Sequence, residues 1–131
     1  MCDNKFIIKK VRVKMTLDHV AIIVSKIENL DFYKKLGFKE SKRITRKNDT
    51  IVFMEYEGIN LEVFVDSNHP ERVIKPEARG LRHIAFLVEN LNGLDIEYEE
   101  IYTDWFGRKA TLVKDYDGQP IELIEKRGIE K

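Results

Sequence analysis

Two histidines and two glutamates recur at matching positions along this 131-residue chain. His19 lies in Leu17-Asp18-His19-Val20-Ala21-Ile22-Ile23-Val24, and His83 in Leu81-Arg82-His83-Ile84-Ala85-Phe86-Leu87-Val88. Glu62 closes Gly58-Ile59-Asn60-Leu61-Glu62, and Glu122 closes Gly118-Gln119-Pro120-Ile121-Glu122. The His-to-Glu spacing is 43 residues in the first case (19 to 62) and 39 in the second (83 to 122). A Glu between apolar neighbours is costly to bury, because its charge loses water. A divalent cation changes that balance, because two carboxylates cancel its charge and two neutral imidazoles complete a nitrogen–oxygen donor set. Such a set leaves up to two positions of an octahedral shell for water or substrate. A lone mid-strand His is more often a hydrogen-bonded structural residue, and a lone Glu more often sits on a solvated strand face. The repetition of both at corresponding positions points to a metal site.

Other chemistries find little support. The single cysteine, Cys2, excludes an internal disulfide framework and thiolate metal clusters, and it suits a reducing compartment. None of Ser25, Ser41 and Ser67 sits in a Gly-x-Ser-x-Gly elbow. Gly107-Arg108-Lys109 lacks the glycine spacing of a phosphate loop. His69 stands alone in a proline-flanked stretch and reads as a surface residue. The 23 basic and 23 acidic residues balance, which argues against a general nucleic-acid or polybasic membrane binder. No apolar run approaches the roughly 20 residues of a membrane span. The expected location is the cytoplasm.

The elements that must position the four residues form two related modules, at about 15–66 and 80–126, behind an N-terminal extension, 1–14. In the first, Leu17 to Ser25 has the Val and Ile content of a strand. Ile27 to Leu36 follows a helical period and stops at Gly37. Phe38 to Thr45, Thr50 to Tyr56 and Asn60 to Val65 read as three more strands, giving β-α-β-β-β. Asp66 to Gly80 is a linker. The second module repeats the strands at Leu81 to Val88, Ile96 to Thr103, Lys109 to Lys114 and Gln119 to Glu125, with a hairpin turn at Asp117-Gly118. Its helix is reduced to Glu89–Gly93 or lost. The face left bare requires cover from a partner chain, or from the extension through Phe6, Ile7, Ile8 and Val11.

The chain resembles the vicinal-oxygen-chelate superfamily, the glyoxalase, bleomycin-resistance and dioxygenase group, over about Met15 to Lys126. The resemblance is carried by Leu17-Asp18-His19-Val20-Ala21, Phe32-Tyr33-Lys34-Lys35-Leu36-Gly37-Phe38 and Asp115-Tyr116-Asp117-Gly118-Gln119-Pro120-Ile121-Glu122-Leu123. The stretch Pro76 to Phe86 looks like that of small bacterial glyoxalase-like proteins. The resemblance implies an α+β fold, with two βαβββ modules forming a half-barrel around one divalent metal. Carried over, the glyoxalase I ligand set is His19, Glu62, His83 and Glu122, with Glu122 able to leave the metal and act as base through an enediolate-type intermediate. The compact chain leans toward nickel or cobalt, with zinc or iron as alternatives. The resemblance further implies a homodimer, in which His19 and Glu62 of one chain can meet His83 and Glu122 of the other.

These readings converge on a lyase- or isomerase-type metalloenzyme acting on a small oxygenated compound. Arg82, Arg108 and Lys109 are candidate contacts for an anionic substrate. The rivals are a ring-cleaving dioxygenase, an acyl-thioester epimerase, and a non-catalytic protein that sequesters a drug or metabolite.

Overall fold

The computed structural model describes residues 13–73 and 75–127, so Cys2 and the apolar positions Phe6 to Val11 lie outside the described residues. Two four-stranded sheets carry the chain. The first is built from β1 (Val20–Val24), β2 (Lys39–Thr45), β3 (Thr50–Tyr56) and β4 (Ile59–Val65), in the order β1-β4-β3-β2. The second is built from β5 (Ile84–Val88), β6 (Tyr102–Thr103), β7 (Lys109–Lys114) and β8 (Pro120–Glu125), in the matching order β5-β8-β7-β6. In each sheet the first strand pairs parallel with the last and the remaining pairs are antiparallel. The duplication expected from the sequence is therefore a duplication of topology.

Alternation divides each sheet into two faces. Ile22 and Val24 on β1, Leu61 and Val63 on β4, and Ile121 and Leu123 on β8 point into one shared core. Ala21 and Ile23 point the other way and are exposed, as is Leu87 on β5. Helix α1 (Leu30–Lys35) contributes Leu30, Phe32 and Tyr33 to the core and ends at Gly37, whose φ of 115° is the left-handed geometry that glycine tolerates. A single 3-10 turn, Ile27–Asn29, precedes it, so the helix is shorter than its apolar period suggests. The β3–β4 turn uses Glu57 and Gly58, both at positive φ (45° and 86°), as a two-residue hairpin requires.

The second module departs from expectation. Its helix is replaced by one 3-10 turn, Leu91–Gly93, closed by the Asn90 side chain accepting from the Gly93 amide at 2.9 Å. Glu125 accepts from the Leu91 amide at 3.1 Å and fixes the turn to the end of β8. The strand expected over Ile96 to Thr103 is only Tyr102–Thr103. Upstream of it, Leu94, Ile96 and Tyr98 still alternate inward, but they pack against the core instead of extending a ladder. Together with buried Leu91 they occupy the place of the missing helix. Leu91, Leu94, Ile96 and Tyr98 thus give the second sheet part of its cover from the chain itself; the expected cover by Phe6 to Val11 of the extension lies outside the described residues.

The modules are locked at the β7–β8 turn. Asp115 accepts the Tyr33 phenol at 2.6 Å and, through its other oxygen, the amides of Asp117 and Gln119. Burial, then the Asp115 carboxylate, holds the Tyr33 phenol far above its ordinary pKa, so it remains a donor. Asp117 accepts from the Ser25 amide at 3.0 Å and from Asn29 Nδ2 at 2.6 Å. These bonds tie the start of α1 to the far end of the second module.

Candidate functional site

Each His stands one residue before its strand starts, at His19 before β1 and His83 before β5, rather than in mid-strand as read from sequence. Each Glu lies within its strand, where Glu62 is level with Ala21 and Glu122 with Ala85. The parallel pairing thus sets His and Glu two positions apart on the same outward face. His19 Nε2 is 3.1 Å from Glu62 Oε1, and His83 Nε2 is 3.3 Å from Glu122 Oε1. The two pairs are near-copies in geometry. They are not joined: among the described residues no group of three or more His, Cys, Asp or Glu side chains is gathered where one ion could be held. Each pair is half of the expected donor set.

The two half-sites differ behind the imidazole. His19 Nδ1 lies 2.8 Å from the Asp18 carboxylate. His19 thus has a carboxylate beside each ring nitrogen, Asp18 at Nδ1 and Glu62 at Nε2. The bond to Asp18 raises its pKa above the usual value; partial desolvation opposes this and the Glu62 charge adds to it. A carboxylate behind Nδ1 fixes the tautomer that leaves Nε2 free to ligate a metal. The donor set on the first module therefore fits a divalent cation. His83 instead has Arg82 Nη1 at 3.1 Å from Nδ1. A guanidinium only donates, so in this arrangement Nδ1 accepts and the ring proton sits on Nε2, toward Glu122; for Nε2 to ligate a cation, Arg82 must turn away and the ring proton move to Nδ1.

Glu122 has a second contact that, among the described residues, Glu62 lacks: the Tyr102 phenol donates to its Oε2 at 2.7 Å. Burial, followed by the bond to Glu122 and its charge, pushes the Tyr102 pKa up to about 12. His83, Glu122, Tyr102, Arg82, Arg108 and Trp105 line one open cleft. Of the three candidate substrate cations, Arg82 and Arg108 reach this cleft and Lys109 is not among its lining. Arg82 is paired with Glu77 at 3.0 Å, and Arg108 with Asp104 at 2.8 Å. Asp104 also accepts from the Phe106 and Arg108 amides, at 2.9 and 2.8 Å, which orders a tight loop bearing fully exposed Trp105. A neighbouring depression, with Arg72, Lys75 and Lys114, shares Arg82 with the cleft. His69 is exposed, 3.7 Å from Asp66.

Sequence reasoning missed Tyr102, Asp18, and the Tyr33–Asp115 and Asn29–Asp117 bonds. Asp18 was adjacent to its histidine but carries no repeat signal, since Arg82 stands in its place. The others depend on contacts across modules or strands.

The profile of the Glyoxalase/Bleomycin resistance protein/Dioxygenase superfamily matches residues 16–123, and the chain belongs to that superfamily. It is 36% identical over 124 residues to the uncharacterized protein YwkD of Bacillus subtilis (strain 168), covering 85% of this chain and 97% of that one. The crystal structure of the glyoxalase family protein from Enterococcus faecalis superposes with a TM-score of 0.75 at 38% identity, over 84% of this chain and 97% of that one. A variant of the fosfomycin resistance protein FosX from Listeria monocytogenes, complexed with Mn(II) and 1S,2S-dihydroxypropylphosphonic acid, shares the fold (TM-score 0.64, 16% identity, 88% of this chain and 96% of that one). Proteins of this superfamily include many metalloenzymes acting on small molecules. Among the described residues, no helix is long and apolar enough to cross a membrane.

Proposed function

We propose that this protein is a metal-dependent lyase or isomerase whose sites are completed between two copies of the chain. His19 and Glu62 of one copy and His83 and Glu122 of the second would hold one divalent cation, nickel or cobalt by the compactness of the chain. The observation that carries the reading is the pair of matched half-sites, at 3.1 and 3.3 Å, with no third donor beside either among the described residues. The exposed apolar residues flanking the histidines support it. Leu17, Ile23, Leu81 and Leu87 are all more than half exposed, and they lie on or beside the edge strands β1 and β5. Joining those edges would bury these side chains and bring unlike half-sites together in a closed twofold dimer.

The cation would supply Lewis-acid stabilisation of charge developing on neighbouring substrate oxygens. The chain's own groups do the rest. Glu122 serves as the base, taking a proton from the carbon beside a substrate carbonyl and returning it to the adjacent carbon. Arg82 and Arg108 orient an anionic group of the substrate, and Trp105 and Phe106 offer it apolar surface along the cleft. The domain responsible is residues 15–131, and a cytoplasmic location suits a chain with one cysteine.

The test is elemental analysis of purified protein together with its mass in solution. A metal-bearing species of twice the 15.5 kDa chain mass is expected, and His19→Ala or His83→Ala should lower metal content sharply in a folded protein. Full metal occupancy in the double variant lacking both histidines would end the reading.

A further inference from the structure

The registers of the two sheets show that the modules differ beside their glutamates, at Phe53 against Leu112 directly level with them and again one row further along. In the first sheet, Phe64, two residues after Glu62, is level with Ile51 on β3, which is level with Ile44 on β2. In the second, Ile124, two residues after Glu122, is level with Ala110 on β7, which is level with Tyr102 on β6. The same lateral row therefore reads Phe64, Ile51, Ile44 in one module and Ile124, Ala110, Tyr102 in the other. Both changes are needed for one contact. The strand β6 lies two strand spacings, about 10 Å, from β8. A tyrosine can cross that gap only if the residue between is small, and Ala110 offers a single methyl where Ile51 would fill the row. The phenol then donates to Glu122 Oε2 at 2.7 Å, while Glu122 Oε1 faces His83 Nε2 at 3.3 Å. Ile44 can donate nothing, and among the described residues Glu62 has only His19 as a partner.

We propose that Tyr102 is a positioning residue for Glu122: its phenol holds Oε2, so that only Oε1 is presented beside His83 Nε2, a constraint absent at Glu62. The two glutamates are thereby made inequivalent. Glu62 is free to turn either oxygen toward a cation, whereas Glu122 offers one oxygen in a fixed orientation and keeps that orientation toward substrate when it acts as base. This inference rests on the metal-site reading above.

The test uses the full chain, stripped of metal and titrated calorimetrically with nickel. Removing a hydrogen-bond partner of a metal ligand weakens binding by about 10–100-fold. Tyr102→Phe should therefore bind nickel about ten-fold or more weakly than wild type, while Ile44→Ala, its counterpart in the first module, should bind within about two-fold. In a Glu122→Ala background the Tyr102→Phe change should have no further effect, because its action runs through Glu122. Cobalt-loaded Tyr102→Phe should also show an altered visible spectrum, reporting a changed oxygen donor. An unchanged nickel affinity in Tyr102→Phe, or an equal loss with and without Glu122, would overturn the assignment and leave the metal reading standing. If wild type takes up no nickel, cobalt or zinc, or if Glu122→Ala binds as tightly as wild type, the metal reading falls and the positioning role with it.

Discussion

The two modules share a topology and a His–Glu spacing, yet they are stabilised differently. The first buries its sheet under α1, whose Leu30 and Tyr33 are wholly inaccessible to solvent. Among the described residues, the second has only the turn Leu91–Gly93 and an extended run through Leu94, Ile96 and Tyr98. Despite that loss, His83 and Glu122 keep the geometry of His19 and Glu62 to within 0.2 Å, from 3.3 against 3.1 Å. The difference teaches that the half-site depends on the parallel pairing of first and last strands, not on what covers the opposite face. It also shows where the modules have diverged in chemistry: Asp18 behind one histidine and Arg82 behind the other, with Tyr102 on one glutamate alone.

The comparison can be broken most forcefully at Leu91. If this one buried side chain stands in for a helix, Leu91→Ala should cost about 2–5 kcal/mol, as Leu30→Ala should in the first module. Chemical denaturation of both variants measures this. A cost below 1 kcal/mol at Leu91 would show that Leu94, Ile96 and Tyr98 cover the sheet without it.

The lock between the modules gives a smaller, pH-dependent effect. Desolvation works to raise the Asp117 pKa, but the hydrogen bonds from Ser25 and Asn29 outweigh it and the net shift is downward from 3.8. A carboxylate with a depressed folded-state pKa contributes stability that is present above its unfolded value and lost as pH falls through the folded one. Asp117→Asn should therefore be less stable than wild type by about 1 kcal/mol near neutral pH. The gap should narrow once pH drops below the ordinary carboxylate range. A gap that is constant from pH 7 to pH 2 would remove the charge from the explanation.

Much of this division was visible in the residues themselves. The duplication marked both His–Glu pairs, because a strand motif that occurs twice exposes the positions the two copies share, and Gly37 and Glu57-Gly58 marked their turns correctly. The run from Ile96 misled for a physical reason: alternation reports which side chains face the core, and Leu94, Ile96 and Tyr98 do so without pairing to another strand. The missing helix was legible, but its substitute was not, since a segment lacking helical period can still supply apolar cover. Tyr102 was beyond reach of any local pattern. Its role exists only through the register of three strands and the smallness of Ala110 between them.

The central claim is that each site takes one half from each of two chains, and subunit mixing tests it most directly. His19→Ala and His83→Ala homodimers would each lack a complete site. In a mixed dimer of the two, one site carries both lesions and the other carries none. Equal mixing after mild dissociation should therefore restore bound metal to about one quarter of the wild-type level, since about half of the dimers are mixed and each regains one of two sites. Modules that complete their sites within a single chain would give no recovery at any mixing ratio, and that result, or a metal-loaded 15.5 kDa monomer, would contradict the account.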